Sequence, residues 1–112
     1  MDEHSNSEIT VDELKEKIDK GEKVNLLDIR QPFESQIATL GGMLIPVNSL
    51  LDRLDEIEKF KDEELIIYCH SGINSHYATE FLKEKAGFKK VKNLVGGITE
   101  WANKIDPTMK KY

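Results

Sequence analysis

The sequence is poor in cysteine and in excess basic charge. Its 112 residues include one cysteine, which excludes an internal disulfide and leaves Cys69 as either a structural thiol or a reactive group. The same scarcity indicates a reducing compartment. Lys and Arg number 16 against 21 Asp and Glu, a formal net charge of -5. This balance argues against nucleic acid or an anionic membrane surface as a partner.

Long apolar runs are also lacking. None approaches the roughly 20 residues that cross a bilayer, and the amino terminus has neither the basic start nor the hydrophobic stretch of a signal peptide. We therefore expect a soluble, cytoplasmic protein. Residues 1–8 are polar and acidic and predict a flexible tail, whereas residues 9–112 have room for a single domain.

Strand and helix patterns alternate along the domain. Thr10 and Glu13 form the capping-box pattern of a helix start. The apolar runs at 24–30 and 65–69 are typical of parallel strands covered on both faces. Further strands are predicted at 43–45 and 91–94, and further helices at 32–37, from about Leu50 to Ile57, after Ser75 and at 98–105. This order predicts an α/β fold, a mainly parallel sheet with helices on both faces.

Cys69 is the strongest candidate for a functional residue. It ends a buried strand and precedes a short loop that enters a helix, and ligands of open parallel sheets bind beyond the carboxyl ends of the strands. Backbone N–H groups of such a turn converge, and the helix start favours negative charge, so a thiolate is stabilised there. Gly72 permits the loop to close around the sulfur. Position alone leaves open a buried structural cysteine.

Several polar residues surround this position. His70 and His76 flank the loop as candidate acids, bases or supporting cations, although exposed positions at the loop edge are the favoured interpretation. Ser75 is predicted to cap the helix rather than to act in catalysis. Asp28 and Arg30 lie at the carboxyl end of a neighbouring strand, and we predict that they form an ion pair that stabilises the loop. One cysteine and scattered histidines do not match the spacing of a zinc site, so no metal is expected.

Five segments of the sequence and one tryptophan match a known family in order and spacing. They are LLDIRQPFE at 26–34, IP at 45–46, YCHSGINS at 68–75, GF at 87–88 and LVGG at 94–97, with Trp101. On these residues the chain resembles the rhodanese domain along nearly its whole length. The resemblance implies a rhodanese-like sheet of about five parallel strands and a cysteine that accepts sulfane sulfur. By matching position, Cys69 becomes the persulfide carrier, and the loop His70, Ser71, Gly72, Ile73, Asn74 and Ser75 becomes its binding cradle.

The resemblance implies a sulfurtransferase. It would move sulfane sulfur from thiosulfate or a persulfide donor to a thiol, cyanide or a sulfur-carrier protein, without a cofactor. Segments 37–46 and 105–112 resemble the C-terminal rhodanese domain of enzymes that adenylate and sulfurate sulfur-carrier proteins, which implies a possible protein acceptor. One departure concerns Asn74, where many relatives have Arg. Loss of that cation predicts weak affinity for thiosulfate.

Two alternatives remain open at this point. A cysteine phosphatase also places a thiolate between a strand and a helix, but it needs an Arg after five intervening residues, where this chain has Ser75. A non-catalytic rhodanese-like interaction module would keep the fold without turnover. Asn74 favours that alternative, whereas the presence of Cys69 argues against it.

Overall fold

The computed structural model describes residues 7–112, and in that part of the chain a parallel five-stranded sheet forms the centre of the fold. The strand order is β1-β5-β4-β2-β3. All four neighbouring pairs run parallel, which confirms the predicted α/β class and sheet. The strands are β1 (Glu8–Ile9), β2 (Leu26–Asp28), β3 (Met43–Leu44), β4 (Glu64–Tyr68) and β5 (Lys90–Leu94).

Helices cover both faces of this sheet. They are α1 (Val11–Asp19), α2 (Pro32–Ile37), α3 (Ile73–Lys85) and α4 (Gly97–Lys104). The predicted capping box of α1 is confirmed, since the Thr10 hydroxyl accepts from the Glu13 N–H at 3.1 Å and the Glu13 carboxylate accepts from the Thr10 N–H at 2.8 Å. The helix predicted near 50–57 is instead 3₁₀ helix over Val47–Ser49 and Leu51–Phe60, with a kink at Arg53.

Two apolar layers enclose the sheet because its residues alternate between the faces. Leu65 and Ile67 of β4 pack in the layer that contains Leu82 of α3, whereas Ile66 packs in the layer that contains Leu14 of α1. Both layers are needed to bury a parallel sheet. The strand ends, and the loops that follow them, are therefore held in fixed positions at one edge of the molecule.

The predicted tail over residues 1–8 is wrong for its last two residues. Ser7 is buried, its hydroxyl accepts from the Lys83 ammonium at 2.8 Å, and Glu8 begins β1 by pairing with Asn93. The backbone of β5 pairs on its outer side with β1, whose two residues, Glu8 and the buried Ile9, are too few to show an alternating pattern. The rest of the predicted tail, residues 1–6, lies outside the described residues.

The helices of the described chain are short and carry charged faces. Within residues 7–112, none has the length and hydrophobicity that a membrane-spanning helix requires.

Candidate active site

The loop after β4 surrounds the sulfur atom of Cys69. The residue is 5% exposed, and its Sγ accepts hydrogen bonds from the Gly72 N–H at 3.1 Å and the Ser75 N–H at 3.3 Å. Both donors belong to the start of α3, whose dipole adds partial positive charge at this end. The geometry therefore stabilises negative charge on the sulfur without any cationic side chain.

The first turn of α4 holds the loop in this arrangement. The Ile98 N–H donates to the Cys69 carbonyl at 3.0 Å, and the Thr99 N–H and hydroxyl donate to the His70 carbonyl at 3.0 and 2.8 Å. With these carbonyls bound outside the loop, its N–H groups are free to turn toward the sulfur. Gly97 is required here because a Cβ at that position would lie 2.5 Å from the Cys69 carbonyl oxygen.

Gly72 provides the turn that brings the chain into α3. Its φ of 92° lies in the left-handed region that favours glycine. A Cβ there would lie 2.8 Å from the backbone nitrogen of Gly96, so two independent constraints exclude a side chain. The LVGG segment and the cysteine loop thus pack directly against each other.

Ser75 has a different place from the one predicted. The structure has Gly72 at the cap position and Ser75 in the first turn of α3, fully buried, so the prediction of a helix cap is wrong. The Cys69 thiol donates to the Ser75 hydroxyl at 3.2 Å, and that hydroxyl donates to the side-chain oxygen of Asn93 on β5. Sequence reasoning missed Asn93, whose signal was a polar residue within a buried strand.

The remaining loop side chains point away from the sulfur. Ser71, Ile73 and Asn74 are exposed, as is His76 in the first turn of α3. The ring of His70 stacks on the ring of Tyr112, with centroids 4.2 Å apart and planes 7° apart. Among the hydrogen bonds of residues 7–112, neither imidazole contacts Cys69. The structure therefore gives neither histidine a hydrogen bond to the thiol within the described residues.

Asp28 and Arg30 form a buried ion pair at the end of β2. Their side chains are 3% and 1% exposed, and Arg30 Nη2 lies 2.8 Å from Asp28 Oδ2. Burial by itself lowers the pKa of Arg30, but the hydrogen bonds to Asp28 and Tyr112 outweigh that effect and raise its pKa above the usual value. The guanidinium also donates to the Ala38 carbonyl at 2.8 Å. The pair thus fixes the chain after β2 rather than contacting the sulfur.

Tyr112 connects this ion pair to the cysteine loop. Its hydroxyl accepts from Arg30 Nη1 at 2.6 Å while its ring stacks on His70. Burial is the main reason that the pKa of Tyr112 is raised, so the hydroxyl stays neutral beside the guanidinium. The sequence analysis included Tyr112 in segment 105–112 but gave it no place in the site, because its contact with Arg30 spans 82 positions of the chain.

Metal ligands do not gather at this site. Over the described range 7–112, no group of three or more His, Cys, Asp or Glu side chains has an arrangement that could hold a metal ion. The chemistry available at the loop is that of one sulfur atom, two backbone donors and one serine hydroxyl.

Comparison with known proteins gives three informative relatives. The chain is 37% identical over 100 residues to "Putative sulfur carrier protein YrkF" of Bacillus subtilis, covering 88% of this chain and 52% of that protein. It is 36% identical over 107 residues to "Probable adenylyltransferase/sulfurtransferase MoeZ" of Mycobacterium tuberculosis, covering 95% of this chain and 27% of that protein. It is also 36% identical over 97 residues to "Sulfurtransferase" of Allochromatium vinosum, covering 86% of this chain and 88% of that protein.

The chain spans about half the length of the Bacillus subtilis relative and about a quarter of the length of the Mycobacterium tuberculosis relative. The similarity to an adenylyltransferase/sulfurtransferase agrees with the resemblance of segments 37–46 and 105–112. Among solved structures, a rhodanese-like domain protein from Staphylococcus aureus superposes with a TM-score of 0.75 at 30% identity, covering 85% of this chain and 90% of that chain. The sequence model of the Rhodanese-like domain family matches residues 10–104, and the chain therefore belongs to the rhodanese-like domain family.

Proposed function

We propose that the protein is a sulfurtransferase that carries sulfane sulfur on Cys69 as a persulfide. The observation that carries this proposal is the pair of backbone N–H groups, from Gly72 and Ser75, that converge on Sγ at 3.1 and 3.3 Å. Membership in the rhodanese-like family supports sulfur transfer in general. So do relatives named as a sulfurtransferase and as a putative sulfur carrier protein.

The cycle has two displacement steps at the same sulfur. The Cys69 thiolate attacks the outer sulfur of the donor, a new S–S bond forms, and the donor's own S–S bond breaks with its electron pair leaving on sulfite or on a thiolate. An acceptor nucleophile then attacks the outer sulfur of the Cys69 persulfide, and the thiolate is released. Each step exchanges one bond for another, so no external oxidant or reductant is consumed.

The loop supplies the electrostatic stabilisation for both steps. A persulfide places its negative charge on the outer sulfur, one bond beyond Sγ, and we propose that the N–H groups of the loop after Cys69 also stabilise that charge. Donors held ready in this way need no reorganisation when charge develops. We assign the loop His70 to Ser75 the role of substrate-binding cradle, and we assign Asp28 and Arg30 a supporting role through Tyr112 and His70.

The charge of the loop favours a persulfide donor over thiosulfate. Residues 69–75 contain neither Lys nor Arg, so the two negative charges of thiosulfate are met by backbone donors alone. A small-molecule persulfide has less charge to compensate. A thiol, cyanide or a sulfur-carrier protein can each serve as the acceptor, and the relative named as a putative sulfur carrier protein supports the last of these.

Replacement of Asn74 by Arg should raise the use of thiosulfate. Asn74 is exposed in the first turn of α3, so a longer side chain can extend over the loop without displacing core residues. We expect kcat/KM for thiosulfate to rise by about tenfold, the effect of one charge-assisted hydrogen bond of about 1.5 kcal/mol. The measurement is thiocyanate formation from thiosulfate and cyanide, compared with a small-molecule persulfide as donor.

The matched control is Asn74→Gln, which lengthens the side chain without adding charge. It should leave the ratio of thiosulfate to persulfide turnover near that of the wild type. An equal gain for both donors in Asn74→Arg would contradict the explanation by charge. Absence of thiocyanate from the wild type with every donor would contradict the proposed function itself.

A cysteine phosphatase is not supported by the geometry. The position that would need a phosphate-binding Arg is Ser75, which is buried and hydrogen-bonded to Cys69 and Asn93. A phosphate dianion in this loop would lack a compensating cation. The interaction-module alternative has no comparable observation in its favour, because a module without turnover needs no N–H groups directed at a thiol.

A further inference from the structure

A buried chain of polar side chains lies behind the sulfur atom. The Cys69 thiol donates to the Ser75 hydroxyl at 3.2 Å, and the Ser75 hydroxyl donates to Oδ1 of Asn93. Ser75 is fully buried and Asn93 is 3% exposed. Cys69 directly after β4, Ser75 of α3 and Asn93 of β5 therefore form one hydrogen-bonded chain that starts at the reactive atom.

The direction of this chain depends on whether the sulfur carries a proton. In the thiol form, each group donates to the next, and Asn93 is the final acceptor. An anionic sulfur can only accept, so the Ser75 hydroxyl must turn its hydrogen toward Cys69. The oxygen atoms of Ser75 and Asn93 then face each other without a hydrogen between them, which is unfavourable in a buried site.

An amide side chain resolves this conflict. Rotation of the Asn93 amide by half a turn replaces its oxygen with the NH₂ group, which then donates to the Ser75 oxygen while Ser75 donates to the sulfur. An aspartate carboxylate can accept a hydrogen bond from Ser75 but cannot donate one, and an apolar side chain can do neither. Asparagine at this position satisfies both protonation states of the cysteine.

We infer that Asn93 is a positioning residue that reverses the hydrogen bond of Ser75 and so stabilises the anionic sulfur of Cys69. The inference rests on the proposed function in assigning the same stabilisation to the persulfide, but the thiolate alone suffices to test it. Asn93 does not touch the transferred atom. Its effect reaches the sulfur through the Ser75 hydroxyl.

Other titratable groups surround this chain but do not enter it. Across the described residues, no hydrogen bond joins any of them to the Ser75 hydroxyl or the Asn93 amide. All of them are retained in the variants below, so their influence is common to every protein compared. Glu8 of β1 and His76 and Tyr77 of α3 line the same pocket as Asn93. His70 follows Cys69 in the loop, and the side chain of Glu100 in α4 lies against Gly96.

The test is a double-mutant cycle on the pH dependence of Cys69 alkylation by iodoacetamide. Its four proteins are the wild type, Asn93→Leu, Ser75→Ala and the double variant. We expect each single substitution to move the midpoint of rate against pH upward by about one unit. Ser75→Ala removes the hydrogen bond to the charged sulfur, and Asn93→Leu removes the hydrogen bond to Ser75 that the nearby negative charge strengthens. The double variant should move it no further, because Asn93 acts only through Ser75.

Asn103→Leu is the matched control. This exposed residue of α4 undergoes the same chemical change, and its midpoint should equal that of the wild type. The inference is overturned by an unchanged midpoint in Asn93→Leu, or by shifts that add in the double variant. If circular dichroism shows Asn93→Leu unfolded, Asn93→Asp takes its place. The upward shift of the alkylation midpoint caused by Asn93→Asp must then be larger when Ser75 is present than when it is replaced by Ala. Equal shifts in the two backgrounds would overturn the inference.

The alkylation experiment requires no sulfur donor, so its outcome is independent of turnover. A protein that transfers sulfur normally but fails the cycle would contradict the role of Asn93 alone. A protein that passes the cycle but never acquires sulfur would contradict the proposed function alone.

Discussion

Cys69→Ser should reduce sulfur transfer by at least about a thousandfold, because removal of a covalent nucleophile eliminates the step that depends on it. A serine hydroxyl stays protonated at neutral pH and does not form the S–S bond that stores the sulfur. The measurement is thiocyanate formation from a small-molecule persulfide and cyanide, at donor concentrations that saturate the wild type.

The substitution should leave the fold intact, since serine is close in size to cysteine and its oxygen can accept the same Gly72 and Ser75 N–H groups. Circular dichroism and thermal unfolding of the variant provide that control. Ser71→Ala is the matched functional control, because Ser71 is an exposed hydroxyl in the same loop and is expected to change turnover little. Turnover by folded Cys69→Ser at a rate near that of the wild type would exclude Cys69 as the carrier.

Asp28→Ala should lower the free energy of unfolding by about 3–5 kcal/mol, because it leaves a buried guanidinium without its charge partner. Asp28 accepts from Arg30 Nε at 2.9 Å and from Nη2 at 2.8 Å, and both side chains are almost completely buried. The total free energy of unfolding of a single domain is about 5–15 kcal/mol, so this loss would be a large part of it. Urea denaturation should therefore show a large decrease in the midpoint.

Asp12→Ala is the matched control for this effect. Asp12 also forms an ion pair, with Lys104 at 2.7 Å, but the two side chains are 60% and 50% exposed. Exposed pairs contribute about 0–1 kcal/mol, so this variant should lose little stability. Similar losses in Asp12→Ala and Asp28→Ala would show that burial is not what makes the Asp28–Arg30 pair important.

Several parts of the fold that local patterns determine were predicted correctly from the sequence, although the helix predicted near 50–57 is 3₁₀ helix. Thr10 and Glu13 fix the start of α1 through contacts three residues apart, and the apolar run before Cys69 requires a strand covered on both faces. The carboxyl end of that strand then follows from the sequence, as does the glycine needed after it. These inferences depend on periodicity and backbone geometry, which neighbouring residues reveal.

The parts that distant contacts determine were missed or misplaced. Glu8 joins the sheet only because β5 has an open edge, and Ser75 is directed at the sulfur only because α3 begins one turn earlier than its own cap pattern suggests. Asn93 and Tyr112 enter the site across 18 and 82 positions of chain. Local sequence does not show which distant residue such a side chain contacts, so the places of Asn93 and Tyr112 became clear only in the three-dimensional structure.

The most direct test of the account is the mass of the protein after exposure to a persulfide donor. The wild type, separated from excess donor, should gain the mass of one sulfur atom, and the gain should map to the peptide that contains Cys69. Cyanide should then remove it and yield one equivalent of thiocyanate. If the wild type turns over while Cys69 never acquires sulfur, the claim that this backbone-cradled cysteine carries the transferred atom is wrong.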